Sequence, residues 1–299
     1  MPGIAFNQIL MMNNNQMNFA FFSANLHHYV PSIPWEDHNE LYAIFKRYHT
    51  ARNPERYMST IEGLNGLTQA GILTGFHLGQ HELLPLYLAR AGIDFDILIS
   101  KKVYQKYQNH LNAHRASFDD ADRHFDFLFA EDKYMVLRIR RSLYSGRHIL
   151  VFADGNIGAN DIDGLLVPVS FFNKELHVRR GIAFISHLLQ VPVYPVLDQL
   201  TDEIVKITIQ QPIHPSFELA RTDYIRECMQ GIFDVLSERL NDKWMDWGCW
   251  DYLHQNGMLR LNGCEDVSGK LLSPEHTFAF RKGAKTFILD RFNYNIFIL

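Results

Sequence analysis

The sequence predicts an α/β protein: a central, mostly parallel sheet flanked by helices, with a small β-rich C-terminal appendage. Three observations carry this prediction. Five short apolar runs, GILTGF (71–76), FDILIS (95–100), HILVFAD (148–154), GLLVPVSFF (164–172) and VPVYPVL (191–197), are continuous rather than alternating, as strands buried on both faces require. Stretches of helical period lie between runs, notably GQHELLPLYLARAG and RGIAFISHLLQ. From residue 259 onward the composition changes to short β-like runs with turns at Asn262-Gly263 and Lys282-Gly283.

In chain order, residues 1 to about 35 hold no clear period and end in the breaker-rich VPSIPWEDHNE, which reads as an extended or loosely attached lead segment. Leu41, Ile44, Phe45 and Tyr48 have helical spacing, and residues 57–67 read as a second short helix closing at a glycine-rich turn. GILTGF, the helix after it and FDILIS then make a β-α-β unit, for which a parallel, right-handed connection is expected. Active groups in such a sheet gather at the strand C-termini. Residues 101–133, polar and aromatic, read as a solvated helical excursion, with a flap over the site as the alternative. EIVKITIQQPI alternates like an edge strand, and residues 223–240 carry a clear helical period. The expected organisation is therefore 1–60 as lead segment and helices, 61–258 as the α/β domain and 259–299 as the appendage.

Composition narrows the function classes. With 29 basic and 33 acidic residues, net charge −4, the chain is too nearly balanced for nucleic acid or an anionic membrane to be its main partner. Cys228, Cys249 and Cys264 are odd in number and lack C-x-x-C spacing, which argues against a disulfide framework or a zinc knuckle and fits a reducing cytoplasm. The opening residues have no basic n-region, and their apolar stretches are broken by Asn and Gln, so neither a signal peptide nor a spanning helix is expected there.

The strongest candidate centre is His77 with Glu82, an H-x4-E pair just past the GILTGF strand. Five helical steps turn through roughly 500°, leaving the two side chains about 140° apart, so they meet only if His77 sits in a turn before the helix. Gly79 would allow that turn. The carboxylate then accepts the proton of one imidazole nitrogen and holds the other basic toward an acceptor. Two plainer readings stand beside this one: a core or capping histidine, and a metal site formed by His77 and His81 at i,i+4, for which no H-E-x-x-H frame or third ligand follows. No metal is expected. There is no G-x-S-x-G, so a serine hydrolase has no nucleophile elbow.

From residue 61 to about 259 the order of segments resembles the lysophospholipid acyltransferase superfamily, specifically its lipid A biosynthesis (late acyltransferase) branch. The carrying residues are IEGLNGLTQAGILTGFHLGQHELL, LYSGRHILVFADGNIG, GLLVPVSFF, RRGIAFISHLLQVPVYPV and WMDWGCW. The resemblance implies a glycerolipid acyltransferase-like fold, with His77 as base and Glu82 as its partner. It places Asp154, Asn156 and Gly158 on the loop similar to that branch's D-Q-x-x-G. It implies no cofactor beyond the co-substrate, an acyl thioester on the phosphopantetheine arm of acyl carrier protein or coenzyme A. A calcium loop is a poor alternative for DGNIGANDIDG, because its twelfth position is Leu165 rather than Glu.

The departures from that branch shape the expectation further. Its N-terminal membrane helix and basic surface have no counterpart in this sequence, so a soluble or carrier-bound acceptor, a small molecule or peptide, is favoured over a lipid one. A cytoplasmic protein with peripheral membrane contact at most is expected. Arg179 and Arg180, before the helix starting near Gly181, read as a phosphate or phosphopantetheine site, or equally as ordinary surface arginines. Arg138, Arg140 and Arg141 read as a solvated helix face. Trp244, Trp247 and Trp250 read as packing, with an acyl groove as the alternative.

Overall fold

The computed structural model describes residues 15–49, 58–116, 125–155, 165–201, 204–241, 243–253, 264–266, 276–282 and 285–298. In chain order these form α1 (Asn15–Tyr29), α2 (His38–Tyr48), β1 (Met58–Glu62), β2 (Ile72–Gly75), α3 (Leu84–Arg90), β3 (Phe95–Ile99) and α4 (Lys101–Ala116). There follow β4 (Phe127–Phe129), α5 (Met135–Tyr144), β5 (His148–Phe152), β6 (Leu166–Phe171), β7 (Lys174–Arg179), α6 (Gly181–Leu189), β8 (Val193–Thr201), β9 (Ile204–Ile209) and α7 (Arg221–Leu240). The C-terminal strands are β10 (Cys264–Asp266), β11 (Thr277–Lys282), β12 (Lys285–Asp290) and β13 (Ile296–Ile298).

The chain divides into two compact units. One comprises the described residues of Ala51–Ser170 and His177–Trp247; the other, those of Met1–Thr50, Phe171–Leu176 and Gly248–Leu299.

The first unit holds a seven-stranded sheet in the order β1-β9-β8-β2-β5-β3-β4. Strands β8, β2, β5, β3 and β4 are mutually parallel, while β9 is antiparallel to β8 and parallel to β1. This is the mostly parallel, helix-flanked sheet expected from the continuous apolar runs. β2 and β3 are not neighbours, because β5 lies between them. Burial explains the apolar runs: all four residues of β2 are buried, and Leu73, Leu84, Phe95, Leu150, Val196 and Ile207 belong to one core cluster. Gly71, which leads into β2, is required by a close approach, since a Cβ there would stand 2.5 Å from the Pro192 carbonyl oxygen.

Several segments differ from their sequence expectation, among them β4, a strand within the stretch 101–133 expected to be helical. Residues 58–62 form an edge strand rather than a helix, with an exposed and half-buried alternation that gives little apolar signal. β9 lies inside the sheet because β1 covers its other side. The GLLVPVSFF run joins no large sheet; β6 pairs with β7 across a turn whose central residues, Phe172 and Asn173, have φ of 48° and 58°, as a two-residue hairpin turn demands.

In the other unit, α1 is a buried helix rather than an extended lead, with Ala20, Phe21, Phe22, Ala24 and Leu26 fully buried. Arg291 donates to Ser23 Oγ (2.7 Å), which also pairs with His38 Nδ1 (2.7 Å), and Asn25 donates to the Trp250 carbonyl (2.6 Å). The β-rich C-terminal appendage is a four-stranded sheet, β10-β13-β12-β11, antiparallel across β11-β12-β13. The expected turns at Asn262-Gly263 and Gly283 lie outside the described residues.

Candidate active site

The site is set by strand register. β2 pairs with β5 on one side (Gly75 with Phe152) and β8 on the other (Thr74 with Pro195). Carrying each register forward brings residues 77, 154 and 198 to the same level, just past the C-terminal ends of β2 and β5 and within the longer β8, which runs on to Thr201. His77, Asp154 and Asp198 occupy those positions.

His77 sits in a turn before a helix, as its spacing from Glu82 requires. Leu78 N–H donates to the Phe76 carbonyl (2.8 Å), His81 N–H to Leu78 (3.0 Å) and Leu83 N–H to Gln80 (2.9 Å), closing the chain into the 3-10 turn His81–Leu83 that leads into α3. The His81 ring pairs with the Leu78 carbonyl through Nδ1 (2.8 Å). Gly79 is not among the positive-φ glycines, so this turn does not need its conformational freedom.

The carboxylate on the imidazole is that of Asp154. Its Oδ1 lies 2.7 Å from His77 Nδ1, and its Oδ2 accepts the His77 backbone N–H at 2.8 Å. Trp247 adds a third donor, its indole Nε1–H reaching the same Oδ2 at 2.7 Å. Asp154 is fully buried, whereas the His77 side chain keeps 29% of its surface open. Burial alone pushes the Asp154 carboxyl up, but the His77 charge, its hydrogen bonds and the Trp247 N–H outweigh that and hold it below the usual carboxylate range. Burial likewise pushes His77 down, and the Asp154 charge and hydrogen bond, then the Glu82 charge, raise it above the usual histidine value. With Nδ1–H given to Asp154, Nε2 carries the lone pair of the neutral ring. Phe152 lies against that ring, with centroids 5.1 Å apart, and His81 stands 4.8 Å away.

The other candidate residues are placed as follows. Glu82 is exposed in the 3-10 turn and acts on His77 through its charge; the hydrogen bond expected of it is made by Asp154. Trp247 is fully buried with its indole on Asp154, Trp244 is partly exposed in the 3-10 turn Trp244–Asp246, and Trp250 belongs to the other unit. Arg180 is the N-cap residue of α6 and Arg179 ends β7, where burial lowers its pKa; no hydrogen bond or ion pair joins either to His77. Asn156 and Gly158 lie outside the described residues. Arg138, Arg140 and Arg141 are exposed on α5, with Arg138 paired to Asp132 at 3.1 Å.

Sequence reading did not find Asp154 as the histidine's partner, Trp247 as its third donor, or Asp198 at all. The signal for Asp154 was present: an acidic residue directly after an apolar strand, with a histidine directly after another, meets it when the two strands are neighbours. Trp247 lies 93 residues from Asp154 and follows a helix, so no spacing rule could connect them.

No protein-family model matches this chain, and no curated protein matches it significantly. Among solved structures, it is similar to the 1-acyl-sn-glycerophosphate (LPA) acyltransferase PlsC from Thermotoga maritima, with 16% identity and a TM-score of 0.38, over 77% of this chain and 96% of that one.

Proposed function

We propose that the protein is an acyltransferase that moves a fatty acyl group from a thioester donor to a hydroxyl or amine, with His77 as general base. The observation that carries the base assignment is the 2.7 Å pairing of His77 Nδ1 with a buried carboxylate, at the end of a parallel strand and on a ring still partly open. Acyl transfer as the reaction rests on the block order from residue 61 to 259 described above.

In this reading Nε2 takes the proton from the acceptor as its oxygen or nitrogen attacks the thioester carbonyl. Asp154 steadies the imidazolium that forms, and the thiol leaves with a proton returned from Nε2. No covalent enzyme intermediate is required. Glu82 supplies a second negative charge that favours the protonated ring. By the resemblance, Asp154, Asn156 and Gly158 contribute to donor binding, and Arg179 and Arg180 are assigned to the phosphate of the donor arm. The acceptor is a soluble or carrier-bound metabolite or peptide, with a lysophospholipid or lipid A type acceptor as the second class. Among the described residues no helix is long and apolar enough to cross a membrane.

The test is to purify the His77→Ala variant and identify by mass spectrometry the carriers and small molecules that accompany it. An acylated carrier or acyl-CoA enriched over wild type supports the reading. A sample without acyl thioester, together with wild-type protein inert toward both donors and both acceptor classes, would end it.

A further inference from the structure

Asp198 has no part in the chemistry above, yet it lies level with His77 on the other flank of β2. Its Oδ2 accepts the Gln80 backbone N–H at 2.9 Å, just as Asp154 accepts the His77 backbone N–H at 2.8 Å. The turn that carries His77 is thus held at both ends by buried carboxylates from the two strands beside its own. We infer that Asp198 is a positioning residue for His77: it fixes the His77–Gln80 turn through the Gln80 amide, and it releases that hold when protonated. This rests on His77 being the working group of the site.

The surroundings of Asp198 favour such a switch. It is 2% exposed on β8. The charged groups that face it come from α7 and the 3-10 turn after it: Arg239 donates to the Asp198 carbonyl oxygen at 3.3 Å, and its guanidinium is also bound to Asp246 at 2.5 Å. Arg239 therefore reaches the main chain of Asp198 and spends its charge on Asp246, while Asp246 itself repels the Asp198 carboxylate. Burial first pushes Asp198 up, the Gln80 amide and then Arg239 pull it back, Asp246 adds to the rise, and the balance stands at about 6. A carboxylate accepts the Gln80 N–H more strongly than a carboxylic acid does, so the grip on the turn weakens as the pH falls through that value.

The Gln80 amide reports this without any substrate. In the full-length wild-type protein its proton shift should titrate with a midpoint near 6, the value given by the balance above. In Asp198→Asn, which keeps an acceptor oxygen but no titration, the resonance should persist without that inflection. In Asp198→Ala the Gln80 amide should exchange at least about tenfold faster, as expected for a lost hydrogen bond of the charged kind. An inflection that survives in Asp198→Asn would belong to His77 and would overturn the inference, as would an unchanged exchange rate in Asp198→Ala. Because none of these readings involves acyl transfer, the clamp can fail while the catalytic reading stands, and the reverse.

Discussion

At the scale of single residues, the site depends on how a buried charge is satisfied. Three donors meet the Asp154 carboxylate, two from His77 and one from Trp247. Trp247→Phe keeps an aromatic side chain but removes the five-membered ring with its N–H, leaving a buried acceptor short of one partner, and the lost hydrogen bond alone should cost about 1–3 kcal/mol in denaturant unfolding. Asp154→Asn keeps the volume but loses the charge, and should lower the transfer rate by on the order of 10²–10⁴, the range of a general base that is mis-set. The pH dependence has a definite sign. A base must be neutral to act, so with His77 in the proposed role activity should fall as pH falls through the His77 pKa, which Asp154 and Glu82 hold above the usual 6.5 against the opposing effect of burial. Glu82→Gln should move that acid limb to lower pH and by more at low salt than at high, because Glu82 is exposed and its field is screened. The histidine of this site was legible in the sequence as a polar residue ending an apolar strand. Its partner was not, because the nearest carboxylate in sequence, Glu82, is exposed, and the nearest in space arrives from a neighbouring strand.

At the scale of elements, periodicity succeeded where burial is one-sided or a strand is buried on both faces. It found β2, β3, β5, β8 and α7 from their apolar residues alone. It failed at α1, where Ala20 to Ala24 are all buried, the polar Ser23 included, so the helix carries no amphipathic stripe to detect. It failed again at β1, whose residues are all exposed or half-buried and whose pairing depends on β9, with partners 146 residues further along. The burial of α1 has a testable cost: Phe22, fully buried against the Tyr42 and Phe45 rings at 5.0 Å each, should lose about 3–5 kcal/mol on substitution by Ala, measured by denaturant unfolding. A loosely attached lead segment would show almost no change.

For the whole molecule, the titrating groups of the site predict how stability moves with pH. His77 is raised, so its contribution is complete below 6.5 and lost as pH rises through its folded value. Asp154 is lowered, so its contribution is complete above 3.8 and lost as pH falls through its folded value. The pair therefore stabilises fully between 3.8 and 6.5. Asp198 works the other way: a carboxyl raised from 3.8 to about 6 binds its proton more tightly when folded, so the folded state loses up to about 3 kcal/mol as pH rises across that interval. Asp198→Asn should remove this decline, and unfolding free energies of the two proteins at pH 4 and pH 8 would show it. The central claim, that His77 is the base of an acyl transfer, is tested most directly by the turnover of His77→Ala against wild type with an acyl thioester that both bind. With His77 as the base, the variant should lose on the order of 10²–10⁴ in rate with donor affinity unchanged; transfer at the wild-type rate by the variant would exclude His77 from that role.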